Sequence, residues 1–190
     1  MRFRRIVFLT GYGADQVERA FGPPSEERIF VREDSPLGTG GALANARSWA
    51  GEVNWVANGD SFIDVSPGEI LDAHQIGTGQ IVAVHVEERC NFGGLRIDED
   101  DRIVGFDEKG RRGPGWINAG VYVLGHGLIA GLYDGVSSLE RDHFPRWAAQ
   151  GLLRVRRVDA FFRDIGTPKR LEAAQQEFRP IRERMERLRG

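Results

Sequence analysis

The stretch Glu33–Ala46, EDSPLGTGGALANA, sets three glycines within residues 38–41, after a short apolar run and before a helical pattern. Such a segment is a phosphate cradle, a slot for a nucleobase, or a tight turn packed on a sheet. Two phosphate loops are excluded. A dinucleotide fingerprint needs glycine at its first, third and sixth places, and Gly38 and Gly40 fit while Leu43 holds the sixth. A Walker A loop needs Gly-Lys-Ser/Thr, and no lysine lies nearby. Gly11-Tyr12-Gly13 fails the same test at Gln16. Backbone N–H groups at a helix start still suit an anion or a base edge, and a packing turn explains the glycines equally well.

Outward from this stretch, short runs rich in β-branched and aromatic residues alternate with helical patterns. Arg5–Thr10 reads as a buried strand, Ala14–Phe21 as a helix, and Ile29–Val31 as a short strand. A helix is expected from about Gly40 to Trp49, then a strand over Val53–Ala57 ending in the turn Asn58-Gly59-Asp60. Ser66-Pro67-Gly68-Glu69 has the residues of a capped helix start. Further strands are expected at Gln80–Val86, Trp116–Leu124 and Leu152–Phe162, with a hairpin of Leu95–Ile97 and Arg102–Phe106. Leu139–Ala149 reads as partly helical, with Pro145 as a potential break, and Thr167-Pro168 starts a last helix over about 168–189. The alternation predicts one α/β domain, 1–190, with a mostly parallel sheet and an antiparallel hairpin.

Composition narrows the function classes. The chain has 190 residues, 28% charged and 41% hydrophobic, with a net charge of -2, so no basic surface for nucleic acid is implied. Apolar runs such as Ile81–Val84 are far too short for a membrane span. Cys90 is the lone cysteine, which excludes an internal disulfide and a cysteine-based zinc site and leads us to expect a cytoplasmic protein. The four histidines, His74, His85, His126 and His143, lack metal-like spacing.

Candidate chemistry sits at strand ends. Asp60 closes a strand, where open α/β sheets bind ligands, and one carboxylate there suits Mg²⁺ with phosphate oxygens; an Asn-Gly-Asp turn also needs no ligand to exist. Asp164 in FFRDIGTP follows another strand. Asp98-Glu99-Asp100 matches a D-x-D pattern but reads better as a solvated hairpin turn. Lys109, one of two lysines with Lys169, is a phosphate partner or an ordinary surface residue. Asn118-Ala119-Gly120 puts glycine inside a strand, a mark of close approach.

Taken in order, PLGTGGAL, NGD, EKG, WINAGVYVL, SLERDHFP and FFRDIGTP resemble the sugar-phosphate nucleotidyltransferases that make nucleotide sugars. The likeness is greatest to guanylyltransferases of D-glycero-D-manno-heptose 1-phosphate, then of mannose 1-phosphate. It implies a three-layer, Rossmann-like (GT-A-like) fold with a mixed, mostly parallel sheet. The implied reaction transfers a nucleoside monophosphate, expected to be GMP, from the triphosphate to a sugar 1-phosphate and releases pyrophosphate.

By the same resemblance, Leu37, Gly38, Thr39, Gly40, Gly41, Asn58 and Gly59 bind the nucleotide, and Asp60 and Asp164 hold Mg²⁺. Phe92, Gly93, Glu108, Asn118, Ala119 and Glu140 line the sugar side, and Lys109 meets its phosphate. Gly110 stands where the family usually has proline. The family's first strand and its loop of the type Gly-Gly-x-Gly-Thr-Arg have no counterpart, so the expectation is an N-terminally truncated fold with two exposed strand edges, weakly active and marginally stable as written. A non-catalytic nucleotide- or sugar-binding relative and a glycosyltransferase using Asp98 are the alternatives. A homo-oligomer is compatible with the charged C-terminal stretch.

Overall fold

A computed structural model describes residues 3–72, 74–75 and 77–178. The part of the last expected helix beyond residue 178 lies outside these. Strand β1 (Ile6–Thr10), helix α1 (Ala14–Phe21) and strand β2 (Arg28–Arg32) come first, followed by α2 (Gly38–Asn45) and a 3-10 turn at Arg47–Trp49. Next are β3 (Val53–Ala57), β4 (Ser61–Ile63), α3 (Pro67–Asp72), β5 (Gly79–Val86), β6 (Gly94–Ile97) and β7 (Ile103–Asp107). The long strand β8 (Gly115–Gly125) leads to α4 (His126–Ala130), a π-helical turn at Leu139–His143, α5 (Phe144–Ala149), β9 (Leu153–Val158), β10 (Phe162–Asp164) and α6 (Pro168–Glu177).

The main sheet is mixed, with order β7-β6-β8-β5-β9 and β3 also on β8. Its centre is β8, which is antiparallel to β5 along one edge and divides the other between β6 at Ile117 and β3 at Val121–Gly125. Parallel pairing joins β5 to β9 and β1 to β2. The period-2 alternation of strand side chains builds a separate core on each face. Ile81, Ala83, Tyr122 and Leu124 go to the core shared with α2, α4 and α5. Val82, Val84, Ile117, Ala119, Val121 and Val123 go to the core closed by Ile70 of α3. Helices therefore cover both faces, the expected three-layer α/β arrangement.

Some boundaries differ from expectation. The helix at the glycine stretch starts at Gly38 and ends at Asn45. Leu152–Phe162 is two strands, since the chain leaves β9 after Val158 and pairs β10 with β4. Pro145 does not break a helix; it occupies the first turn of α5, where its missing N–H costs nothing.

Strands β1 and β2 form their own sheet. A cleft of about 570 Å³ separates β1 from β3. Consecutive residues line it on both sides, Val7, Phe8 and Leu9 against Val53–Ala57. Because side chains alternate between faces, consecutive lining means that strand edges border the cleft. Phe3 on Trp55 (ring centroids 6.3 Å apart) and Arg5 over Trp49 (5.1 Å) span it.

Candidate active site

The turn at Asn58–Asp60 is held tightly against β8. Asn58 N–H donates to Gly120 O at 2.8 Å, and a Cβ on Gly120 would lie 2.6 Å from Ser61 Oγ and 3.1 Å from Asn58 Nδ2. Gly120 also has φ +73°, a conformation that side chains resist. Its glycine is thus required twice, by backbone shape and by the close approach of the turn that carries Asp60. Ile165 N–H donates to Asp60 O at 2.8 Å, and Asp164 is in register with Ser61.

This pairing brings the two expected carboxylates together. A Cβ on Gly166 would lie 2.8 Å from Asp60 Oδ2 and 3.2 Å from Asp164 Oδ1, so both oxygens flank one small space kept open by that glycine. Asp164 Oδ1 accepts the Gly166 N–H (2.8 Å), and Asp164 Oδ2 accepts from Arg170 Nη1 (2.7 Å). Among the described residues no group of three or more His, Cys, Asp and Glu side chains could hold a metal. Two carboxylates are nevertheless a donor set that fits Mg²⁺, which keeps waters and takes the rest of its shell from substrate phosphates.

Beside Asp164 lies a cavity of about 400 Å³, lined among others by His85, Asn91, Phe92, Phe162, Asp164 and Arg170. Phe92 packs edge-on against Phe162, with ring centroids 5.8 Å apart. Gly93 follows Phe92 directly. Glu108 and Lys109 are exposed on a loop tied to the Phe92 segment by Gly110 N–H donating to Cys90 O (2.8 Å), and neither lines the cavity.

Glu140 gathers three hydroxyl donors. Its Oε2 accepts from Thr39 Oγ1 (2.8 Å) and Ser138 Oγ (2.9 Å), and its Oε1 accepts from Tyr122 OH (3.3 Å). Tyr122 OH in turn accepts from Asn118 Nδ2 (3.1 Å), whose Oδ1 takes the Gly120 N–H (2.9 Å). One polar chain therefore runs from α2 through Glu140 to the strand beside the acidic pair. Burial, reinforced by the Glu140 charge, holds the Tyr122 phenol protonated far above its ordinary value. The Ala119 side chain is fully buried in the core against which Phe92 and Phe162 pack, so only its backbone can serve a ligand.

The glycine stretch is also partly reassigned. Gly40 and Gly41 N–H both donate to Ser137 O, at 2.9 and 3.2 Å, and both residues are buried. A Cβ on Gly40 would meet Ser137 Oγ at 2.6 Å and the His143 ring at 2.9 Å, and one on Gly41 would collide with Gly135 O. Their amides are committed and their size is what counts, leaving Gly38 and Thr39 exposed on the outer side. Leu37 N–H donates to Glu33 Oε2 at 3.0 Å. His143 itself is wholly buried, with Nε2 3.2 Å from Ser137 Oγ, and burial lowers its proton affinity, helped by Arg146.

Asp98 is a turn former, its Oδ1 accepting from the N–H groups of Asp100 (3.0 Å) and Arg102 (2.8 Å). Tyr122, Gly166 and Arg170 escaped sequence reasoning. Only Arg170 carried a signal, a cation in the first turn of a helix, where the dipole disfavours it.

Known proteins resemble this chain over most of its length. The nucleotidyl transferase family model matches residues 2–179. Mannose-1-phosphate guanylyltransferase of Mycobacterium tuberculosis is 34% identical over 174 residues, 86% of this chain and 48% of that protein. D-glycero-alpha-D-manno-heptose 1-phosphate guanylyltransferase of Aneurinibacillus thermoaerophilus is 29% identical over 180 residues, 91% of this chain and 77% of that protein. The crystal structure of HddC from Yersinia pseudotuberculosis complexed with GMP-PN superimposes with a TM-score of 0.80 at 31% identity, covering 93% of this chain and 79% of that one. The chain spans about half the length of the mannose-1-phosphate guanylyltransferases it matches.

Proposed function

The chain belongs to the nucleotidyl transferase family, and from that premise we propose that it transfers GMP from GTP to a sugar 1-phosphate of the mannose or heptose type, releasing pyrophosphate. The observation that carries this reading is the convergence of Asp60 and Asp164 beside Gly166, with Asp164 in the wall of a cavity large enough for a sugar phosphate. In the proposed reaction an oxygen of the sugar 1-phosphate attacks the α-phosphorus of the triphosphate, and the bond to pyrophosphate breaks. No covalent enzyme intermediate is needed, so the protein acts through positioning and charge neutralisation.

In this reading Asp60 and Asp164 hold Mg²⁺, which when bound would offset charge on the phosphates. Phe92 and Phe162 offer an apolar wall in the 400 Å³ cavity, and Glu140, which is held by three hydroxyls and lies outside that lining, is assigned to the sugar hydroxyls by the family resemblance. Asn118, oriented through Tyr122 and Gly120, is assigned to them likewise. The outer backbone of Gly38 and Thr39 receives the base, while Asn58 and Gly59 fix the turn that bears Asp60. Lys109 approaches the sugar phosphate from its exposed loop.

The test is product identity. With GTP, Mg²⁺ and a panel of sugar 1-phosphates, mass spectrometry is expected to find a GDP-sugar with mannose- or heptose-type substrates. Asp60→Asn is expected to abolish it and Asp98→Asn to leave it. The reverse pattern would favour a glycosyltransferase-like use of the hairpin turn, and GTP binding without product would favour a binding role.

A further inference from the structure

Arg170 is the side chain that the proposed reaction leaves unexplained. Its guanidinium contacts Asp164 Oδ2 at 2.7 Å while the Gly166 N–H occupies Oδ1, so both oxygens of this carboxylate are engaged. Arg170 also lines the 400 Å³ cavity. The cavity's other arginine, Arg163, is committed elsewhere, pairing with Glu177 and stacking over the Phe161 ring. Arg170 is the third helical residue of α6, after the Thr167 cap. A cation there opposes the helix dipole, so it is not placed to stabilise its own helix.

We propose that Arg170 is a phosphate-binding residue held in reserve on Asp164. It neutralises that carboxylate in the free protein. When a divalent cation takes Asp164, repulsion releases the guanidinium into the adjoining cavity, where its planar fork meets the phosphate of the sugar 1-phosphate. Metal and sugar phosphate then bind cooperatively, since each favours the state in which Arg170 has left Asp164. This rests on the functional reading above and names a residue which that reading does not require.

The experiment uses Mn²⁺ as a spectroscopic probe and mannose 1-phosphate as the anion, each titrated alone and together by electron paramagnetic resonance and calorimetry. Arg170→Gln is expected to bind Mn²⁺ several-fold more tightly, because no side chain competes for Asp164. It is expected to bind mannose 1-phosphate about tenfold more weakly, having lost charge-assisted hydrogen bonds, and to lose the mutual enhancement. Arg170→Lys, which keeps the charge and serves if the glutamine variant unfolds, should restore part of each effect. Unchanged or weaker Mn²⁺ binding in both variants, or unchanged sugar-phosphate binding, overturns the proposal while leaving the Asp60–Asp164 reading intact. A wild-type protein that binds neither probe overturns both.

Discussion

Gly41→Ala tests what the glycine stretch is for. In an ordinary exposed helix, Gly→Ala stabilises by about 1 kcal/mol, because alanine loses less backbone entropy. Gly41 lies in α2 and is buried, and the added methyl would collide with the carbonyl oxygen of Gly135 and sit 3.0 Å from Leu37 Cβ. The first obstacle is backbone and cannot rotate away. Relief requires α2 to move off the 135–143 segment, straining the bonds from Gly40 and Gly41 to Ser137 O. Overpacking costs about 1–3 kcal/mol and each weakened hydrogen bond about 1 kcal/mol. After subtracting the helix gain, the net loss is about 2–4 kcal/mol, or about 4–16 °C in Tm for a chain of this size. Thermal unfolding followed by circular dichroism reads this directly. The control is Gly127→Ala in α4, where a Cβ meets nothing within 4 Å and the substitution should be neutral or stabilising. A Gly41→Ala protein as stable as wild type would refute the packing account and return these glycines to a direct ligand role.

Other outcomes follow from the same structure. Tyr122→Phe removes the donor to Glu140 and the acceptor for Asn118, and is expected to cost about 1–2 kcal/mol in urea unfolding. Folding lowers the proton affinity of His143 by burying it, so the unfolded chain takes up that proton first as pH falls. The stability contribution is therefore complete above pH 6.5, the ordinary histidine value, and declines below it. A His143→Gln variant should show a flatter stability profile between pH 7 and 5. Among the described residues, strands β1 and β2 pair only with each other, and they expose Ile6 and Leu9. Their amides should exchange hydrogen well before those of β5 and β8, as measured by mass spectrometry.

The layers were legible in the sequence because period-2 runs and helical runs alternate, and Gln80–Val86 and Trp116–Leu124 are long enough to leave no ambiguity. Capping residues placed α3 and α6 well, since Pro67 and Pro168 can sit only near a helix start. The division of Leu152–Phe162 was hidden, because apolar content continues through Phe161 and Phe162 while the chain changes partner strand. In the site, Asp60 and Asp164 were visible as strand-end carboxylates, but only tertiary pairing of β4 with β10 makes them meet. Asn58, Gly59, Asn118 and Glu140 came from family resemblance rather than pattern. Tyr122 was invisible because a tyrosine within a buried strand reads as core, and its hydroxyl matters only once Glu140 is brought opposite it. For Gly40 and Gly41 the structure fits the packing-turn reading: their amides are used within the fold, and their lack of a side chain admits Ser137 and Gly135.

The central claim is the proposal that Asp60 and Asp164 together form a divalent-cation site beside the cavity that Asp164 lines. Its most direct test is Mn²⁺ titration by electron paramagnetic resonance in the presence of GTP, on wild type, Asp60→Asn, Asp164→Asn and Asp98→Asn. The predicted result is one protein-dependent Mn²⁺ site, weakened at least about tenfold by either Asp60→Asn or Asp164→Asn and untouched by Asp98→Asn. Equal Mn²⁺ binding by wild type and both site variants, or loss confined to Asp98→Asn, would contradict it.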